Sequence, residues 1–247
     1  MSGKRKNTPQ TVRQHAVHQE STFPRFTLAQ RWEHAVLILS GLVLVLTGLP
    51  QKYRDLSISQ DLLSTPERVE LIRQIHHIAA IVLALEAVYH IGRIIYLMAK
   101  RRLPGDLLPT GQDVRDAGHM FQYLLFLRSD KPKFGRYNFE QKVTYWFVFI
   151  GFLLMGISGF IIWFPVFFTQ FLPGGVVPAA KLAHSTEAVV AAIFIIIWHV
   201  YHVHIERTNL SMFTGRLSEK EMREYHEKEY ERLIGQSASN TQSGGKK

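Results

Sequence analysis

The 247-residue sequence contains no cysteine. This absence excludes disulfide bonds, thiolate zinc sites, cysteine-held iron–sulfur clusters and haem attached covalently through a CxxCH motif. Any metal bound by this protein must therefore be held by histidine, methionine or carboxylate side chains. The sequence contains twelve histidines, which are a ready supply of such ligands.

Four long stretches of the sequence contain very few charged residues, in a chain that is 47% hydrophobic. Each stretch is long and apolar enough to cross the hydrocarbon core of a bilayer, which is about 30 Å thick. We therefore predict an all-α integral membrane protein, a bundle of four transmembrane helices. The predicted spans are residues 32–49, 73–98, 143–164 and 182–205.

Polar segments surround these spans. The sequence predicts an N-terminal arm over residues 1–31, without the apolar core of a signal peptide. An amphipathic run within residues 113–127 is too short to span and predicts a helix that lies on the membrane surface. The tail, residues 206–247, is expected to form a short helix and to be disordered after about residue 235. Thr65 followed by Pro66 is typical of a helix start.

The basic residues indicate how the chain is oriented. The arm, the 100–142 connection and the tail hold 23 Lys and Arg residues, against five in segments 51–73 and 165–181. Because cytoplasmic segments of membrane proteins are enriched in Lys and Arg, we expect both termini in the cytoplasm. The same rule accounts for the net charge of +9, and no motif for nucleic-acid binding accompanies that charge.

Eight histidines fall inside the predicted spans, and five of them form two layers. His76 and His184 belong to the outer side of the membrane under this orientation, and His34, His90 and His199 belong to the inner side. A polar side chain at such a position is costly unless a ligand or a hydrogen bond satisfies it. Two layers of facing histidines are what bis-histidine ligation of two b-type haems requires.

Other interpretations of these histidines remain open at this stage. Imidazole also suits zinc and non-haem iron. The histidines could line a metal or ion transporter, or they could pack between the helices of a simple membrane anchor. Glu86 and Glu187 also lie within the spans, where a carboxyl group could serve proton uptake or orient a ligand imidazole.

Several short sequences resemble the cytochrome b (gamma) subunit of membrane-bound formate dehydrogenase, in the wider group that includes the cytochrome b subunits of nickel–iron hydrogenases. The resemblance covers about residues 25–232. The matching patches are Gln30-Arg31 with His34, Arg73-Gln74-Ile75-His76, Arg136-Tyr137-Asn138 with Gln141-Lys142, Gly159-Phe160-Ile161-Ile162-Trp163-Phe164-Pro165, and His184 with His199-Val200-Tyr201.

The resemblance implies two haems b. His76 and His184 would hold the outer haem, and His34 and His199 the inner one. It also implies a quinone, either menaquinone or ubiquinone, near the inner haem. The candidate quinone contacts are His199, Asn138 and Gln141.

Two departures from the family affect the inner haem. The fourth-span histidines are fifteen residues apart here, against fourteen in the family. One extra residue turns a side chain by about 100°, which a π-bulge could absorb. His90 is not expected from the family pattern, and it could replace His34 as the inner ligand.

The resemblance further implies an electron-transfer subunit of a respiratory complex in the bacterial cytoplasmic (inner) membrane. Such a subunit connects the quinone pool to an extracytoplasmic iron–sulfur or multihaem c-type partner. It has a quinone site but no dehydrogenase site of its own. The alternative is the histidine-lined metal or ion transporter.

Overall fold

The computed structural model describes residues 21–102, 105–206 and 208–244, with side chains up to residue 236. The first twenty residues of the predicted arm lie outside this range. Within the described part of the chain, four helices are long and apolar enough to cross a membrane. They are α1 (Leu28–Lys52), α3 (Pro66–Ala99), α5 (Phe139–Trp163) and the continuous helix from Val176 to Ile205. This last helix comprises α7 (Val176–Phe194) and a π-helical segment (Ile195–Ile205). The prediction of four apolar spans is confirmed.

The helices start earlier than the apolar runs from which the spans were predicted. Thr27 caps α1 in a capping box with Gln30, and Asn138 caps α5 in the same way with Gln141. Thr65 caps α3, with Pro66 in its first turn as expected. The polar first turns lower the local hydropathy, so the apolar pattern alone places each start several residues late.

Short elements connect the long helices. The segment after α1 holds α2 (Ser57–Leu62), and the segment after α5 holds α6 (Pro165–Phe168). The long connection contains a 3-10 turn (Gly105–Leu107) and α4 (Gly111–Leu124), so a helix does form in the amphipathic run. That it lies on the membrane surface stays a prediction.

The long helices pack as two pairs. α1 lies along α3, and α5 lies along α7, while α1 makes a smaller contact with α7. The short connections after α1 and α5 favour antiparallel neighbours of this kind. The space between the two helix pairs is where the histidines of the spans meet.

Both ends of the described chain join in a small assembly that we call the cap, residues 22–24 and 211–236. Strand β1 (Thr22–Pro24) pairs antiparallel with β2 (Arg216–Ser218), so that Phe23 lies opposite Leu217. Three short helices complete it: α8 (Ser211–Thr214), α9 (Glu219–Tyr225) and α10 (Glu227–Gly244). α10 continues past residue 235, where the sequence predicted disorder.

The cap has its own core and a surface network of polar contacts. Leu217 and Met222 are each 3% exposed. Glu219 contacts Ser21, Tyr230 and Arg223. Hydrogen bonds from the Ser21 and Tyr230 hydroxyls and the Arg223 guanidinium lower the pKa of Glu219 to about 2, so its carboxylate is charged at neutral pH. The N-terminal segment is thereby tied to the C-terminal tail.

Candidate functional site

The structure brings His76 of α3 and His184 of α7 face to face. Their ring centres are 6.4 Å apart, with the ring planes at 68°. An imidazole nitrogen binds a metal ion at roughly 2.0–2.1 Å and lies roughly 1.1 Å from its ring centre, so two imidazoles on opposite sides of one ion place their centres roughly 6.3 Å apart. The spacing of this pair, the outer pair hereafter, therefore suits one shared metal ion.

Hydrogen bonds determine which nitrogen of His76 is available. The Thr47 hydroxyl donates to the Val43 carbonyl at 2.7 Å and lies 2.8 Å from His76 Nδ1. Because the hydroxyl proton is already used, Thr47 accepts a hydrogen bond from Nδ1–H. His76 is then the tautomer whose Nε2 carries a free lone pair, the form that a metal ligand requires.

His184 is held in the same way by α5. Its Nδ1 lies 3.1 Å from the Met155 carbonyl oxygen, which can only accept. Ser158 donates its hydroxyl proton to Leu154 at 2.6 Å and so accepts from His184 Nδ1 at 3.2 Å. Nδ1 of His184 must therefore carry the proton, which leaves Nε2 free to bind a metal.

A glycine makes room for each of these rings. A Cβ atom at Gly48 would lie 3.3 Å from Cε1 of His76, and one at Gly159 would lie 3.1 Å from Cε1 of His184. Each glycine directly follows the hydroxyl residue that orients the ring, Thr47 or Ser158. These four residues were not singled out from the sequence as orienting groups; the shared hydroxyl–glycine pattern is the signal that could have found them.

A second pair is formed by His34 of α1 and His199 of the π-helical segment. Their ring centres are 6.2 Å apart, again the spacing for one shared metal ion. Gly48, which contacts His76, follows His34 by fourteen residues on α1, so the two pairs are separated by roughly 21 Å along the bundle. This inner pair lies toward the cap.

The π-helical segment provides the turn that the fifteen-residue spacing requires. In a π-helix the hydrogen bonds run from i to i+5, so each turn takes up more residues than in an α-helix. Such a segment covers Ile195–Ile205, which includes His199. The extra residue between His184 and His199 is thereby absorbed, and both rings face the space between the helix pairs.

We predict that deletion of Ile196 leaves the inner pair intact. The deletion restores the family's spacing of fourteen, and an α-helix can then replace the π-helical turn. The purified variant should keep its full haem content, measured as the pyridine haemochrome. Deletion of Leu42, in the regular α-helix between His34 and Gly48, is the control and should lower that content, because no π-helical turn there can absorb the missing residue. Loss of haem only in the Ile196 deletion would contradict this explanation.

His90 does not join either pair. Its Nδ1 lies 3.1 Å from Glu33 Oε2, and its Nε2 lies 3.4 Å from the Tyr145 hydroxyl. Glu33 is also bound by Arg93 through two hydrogen bonds of 2.5 and 2.7 Å. Both nitrogens of His90 are thus engaged with protein groups, whereas His34 faces His199.

Asn138 and Gln141, the candidate quinone contacts, hold the start of α5. The Asn138 side-chain oxygen accepts a hydrogen bond from the backbone N–H of Gln141 at 2.8 Å, and Gln141 Oε1 accepts one from the backbone N–H of Asn138 at 3.2 Å. Asn138 is 4% exposed and also donates to Glu140 at 3.1 Å. In the described part of the chain, no hydrogen bond joins either residue to His199.

The other polar residues of the spans have separate surroundings. His77 stacks on Trp163 with ring centres 4.0 Å apart. His202 lies 2.6 Å from Glu206 at the end of the π-helical segment. Glu187 packs against Gly151, where a Cβ atom would lie 2.9 Å from its Oε1. None of these three joins a histidine pair among the described residues.

Comparisons with known proteins agree with this geometry. A family model for prokaryotic cytochrome b561 matches residues 107–215. The cytochrome b556(fdo) subunit of formate dehydrogenase from Escherichia coli strain K12 is 25% identical over 211 residues, 85% of this chain and 92% of that protein. The cytochrome b556(Fdn) subunit of the nitrate-inducible formate dehydrogenase from the same strain is 25% identical over 125 residues, 49% of this chain and 57% of that protein.

The family match, the two relatives and the four apolar helices point to the same class of protein. They support a bacterial membrane cytochrome b that takes part in electron transfer, and the cytochrome b family implies haem b. The resemblance seen in the short sequence patches is confirmed: the chain is similar to cytochrome b subunits of formate dehydrogenase.

Proposed function

We propose that this chain is a di-haem b subunit that carries electrons across the membrane between an extracytoplasmic redox partner and the quinone pool. One observation carries the proposal. Two histidine pairs, each at the spacing for one shared metal ion, lie roughly 21 Å apart along a bundle that can span a membrane. Each bound haem would supply a centre that accepts and releases one electron at a time.

In this proposal His76 and His184 hold the outer haem, and His34 and His199 hold the inner one. The chain's own residues prepare these ligands. Hydrogen bonds donated by Nδ1–H leave Nε2 available in the outer pair. The histidines of both pairs are half-buried between the helices, and such burial tunes the potential of a bound haem.

Quinone binding is proposed at the cap side of the bundle, close to the inner pair. The buried Asn138 amide is oriented by its capping box with Gln141, and an amide N–H can donate to a quinone carbonyl oxygen. His199 belongs to the same end, because Trp198 donates to Thr144 in the second turn of α5 at 3.1 Å. With both termini cytoplasmic, the quinone would take its protons from the cytoplasm.

The partner is proposed to lie outside the cytoplasm and to dock at the outer ends of the helices. The relatives are named as subunits of formate dehydrogenases. By analogy, an iron–sulfur subunit or a multihaem c-type subunit would exchange electrons with the outer haem. The chain would then contribute the membrane crossing and the quinone site, and its partner the dehydrogenase chemistry.

A haem count tests the proposal. The full chain is purified from membranes with its copurifying partners, and the pyridine haemochrome is measured per chain. We expect about two haems b with bis-histidine spectra, and reduction of added quinone when the complex receives electrons. Absence of haem from a folded preparation would overturn the proposal and favour a histidine-lined transporter.

A further inference from the structure

A charged cluster lies inside the membrane-spanning helices, beside the inner pair. Glu33 of α1 is only 8% exposed, and Arg93 of α3 binds both of its carboxylate oxygens at 2.5 and 2.7 Å. Ionisable groups within the hydrocarbon region are costly and mark functional sites by default. Neither proposed haem uses this cluster.

Two further groups of α3 face Glu33. His90 donates from Nδ1 to Glu33 Oε2 at 3.1 Å, and Glu86 lies one helical turn before His90. Ligand atoms of Glu33, Glu86 and His90 all lie within 4.8 Å of one another. α5 contributes Tyr145, whose hydroxyl is 3.4 Å from His90 Nε2.

The charges of this cluster leave one exchangeable proton. Glu33 and Arg93 neutralise each other and remain ionised, because Arg93 holds both carboxylate oxygens. The cluster is then neutral in two states. Either Glu86 is a carboxylic acid and His90 a neutral imidazole, or Glu86 is a carboxylate and His90 an imidazolium. A net charge inside the membrane is costly, so these two states are favoured. Arg93 also disfavours a metal cation beside Glu33.

Tyr145 connects this proton to the proposed quinone position. Gln141 and Asn138 precede Tyr145 by four and seven residues on α5, so all three lie on one face of that helix. A line of polar groups therefore runs from Glu86 and His90 through Tyr145 toward Asn138 at the cap side. The charged groups along this line are the Glu33–Arg93 ion pair, Arg25, which donates to Gln141 Oε1 at 3.4 Å, and Glu140, which accepts from Asn138 at 3.1 Å.

We propose that Glu86, His90 and Tyr145 form a proton relay that supplies the quinone site, an inference that rests on the proposed function. When His90 is neutral, its Nδ1–H donates to Glu33, so its Nε2 accepts a hydrogen bond from the Tyr145 hydroxyl. When Glu86 passes a proton to His90, Nε2–H donates to the Tyr145 oxygen instead. The Tyr145 hydroxyl is then free to donate toward the quinone.

The relay supplies the protons that the reduction of quinone takes up. Reduction of one quinone to quinol takes up two electrons and two protons. The proposed outer redox partner supplies the electrons, and the relay delivers the protons one at a time to the two quinone oxygens. After each transfer Glu86 and His90 together regain one proton from the cytoplasmic aqueous phase, while Glu33 and Arg93 keep their charges.

The test compares matched variants of the holoprotein with its copurified partners. Glu86→Gln and His90→Gln should each slow quinone reduction by at least about tenfold, since proton transfer by a positioned side chain typically contributes about 100-fold or more. Haem content and visible spectra should stay unchanged. The controls are Glu187→Gln and His77→Gln, which alter a carboxyl group and an imidazole in the spans outside the cluster and should keep the parent rate.

A second measurement does not depend on turnover. The infrared difference spectrum between the oxidised and reduced holoprotein should contain a carboxylic acid band that disappears in Glu86→Gln and persists in Glu187→Gln. Tyr145→Phe removes a single oxygen atom and should slow quinone reduction even if the Glu86 variant folds poorly.

The outcomes separate the two proposals. If the parent binds haem and reduces quinone, but Glu86→Gln, His90→Gln and Tyr145→Phe all react within about twofold of it, the relay is wrong and the proposed function stands. Persistence of the carboxylic acid band in Glu86→Gln would likewise overturn the relay. A parent without haem or without quinone reduction would overturn both proposals.

Discussion

Replacing His184 by alanine is expected to lower the haem content from about two groups per chain to about one. His184 faces His76 at the spacing for a shared ion, and its Nε2 is left free by the hydrogen bond from Nδ1 to Met155. Among the described residues, His184 is the one histidine whose ring faces His76. The change is measured by the pyridine haemochrome of the purified chain, and electron transfer to quinone should fall by at least about 100-fold.

The neighbouring histidine provides the control for this prediction. His77→Ala removes a ring that stacks on Trp163 and belongs to neither pair, so this variant should keep both haems. Equal haem content in His184→Ala and the parent would show that the outer pair is not a ligand pair. Loss of haem in His77→Ala alone would point to a different ligand for the outer site.

Replacing His34 by alanine is expected to remove the inner haem, whereas His90→Ala should retain two haems per chain. His34 faces His199 with ring centres 6.2 Å apart, while His90 binds Glu33 and Tyr145. Without His34, His199 would be the sole imidazole of the inner pair, so the haem that remains should be the outer one. Haem content and the reduced spectrum of each variant, recorded side by side, check the prediction.

The reverse pattern, with haem lost from His90→Ala and kept in His34→Ala, would make His90 the inner ligand. His90→Ala is still expected to slow quinone reduction, because it removes the middle of the proposed relay. Its full haem content would distinguish that effect from loss of a ligand.

The sequence predicted the spans and the layers of histidines because both depend on simple periodic or compositional rules. Charged residues are nearly excluded from the hydrocarbon region, so the apolar runs mark the four helices. The helical rise then assigns each histidine a depth, and His76 and His184 fall in the same layer. Depth alone could not choose between His34 and His90, because both belong to the inner layer.

Other features required the three-dimensional arrangement. The role of Thr47 depends on α3 lying along α1, because the Thr47 hydroxyl contacts the ring of His76, 29 residues later in the sequence. Glu33 was not singled out from the sequence, yet it is buried beside Arg93 of another helix. The π-helical segment could be anticipated only because the family spacing revealed an extra residue before His199.

The cap was missed for a related reason. Its strands have three residues each and pair across almost the whole chain, Thr22 with Ser218. Strands this short carry no recognisable alternation of apolar and polar side chains, and pairing over such a separation leaves no local signal. The sequence therefore predicted a polar arm and a separate tail where the structure has one assembly.

The cap also has a consequence for the order in which the protein matures during synthesis. A ribosome releases the histidines of all four spans before residues 216–218 emerge, and those residues complete the sheet with β1. Until then the α1–α3 hairpin is joined to the α5–α7 hairpin by the long connection, by the small contact between α1 and α7 and by side-chain contacts such as His77 on Trp163. Sheet formation raises the effective concentration of His34 near His199. The inner cofactor would thus be secured only after residues 216–218 have emerged, later than the outer one.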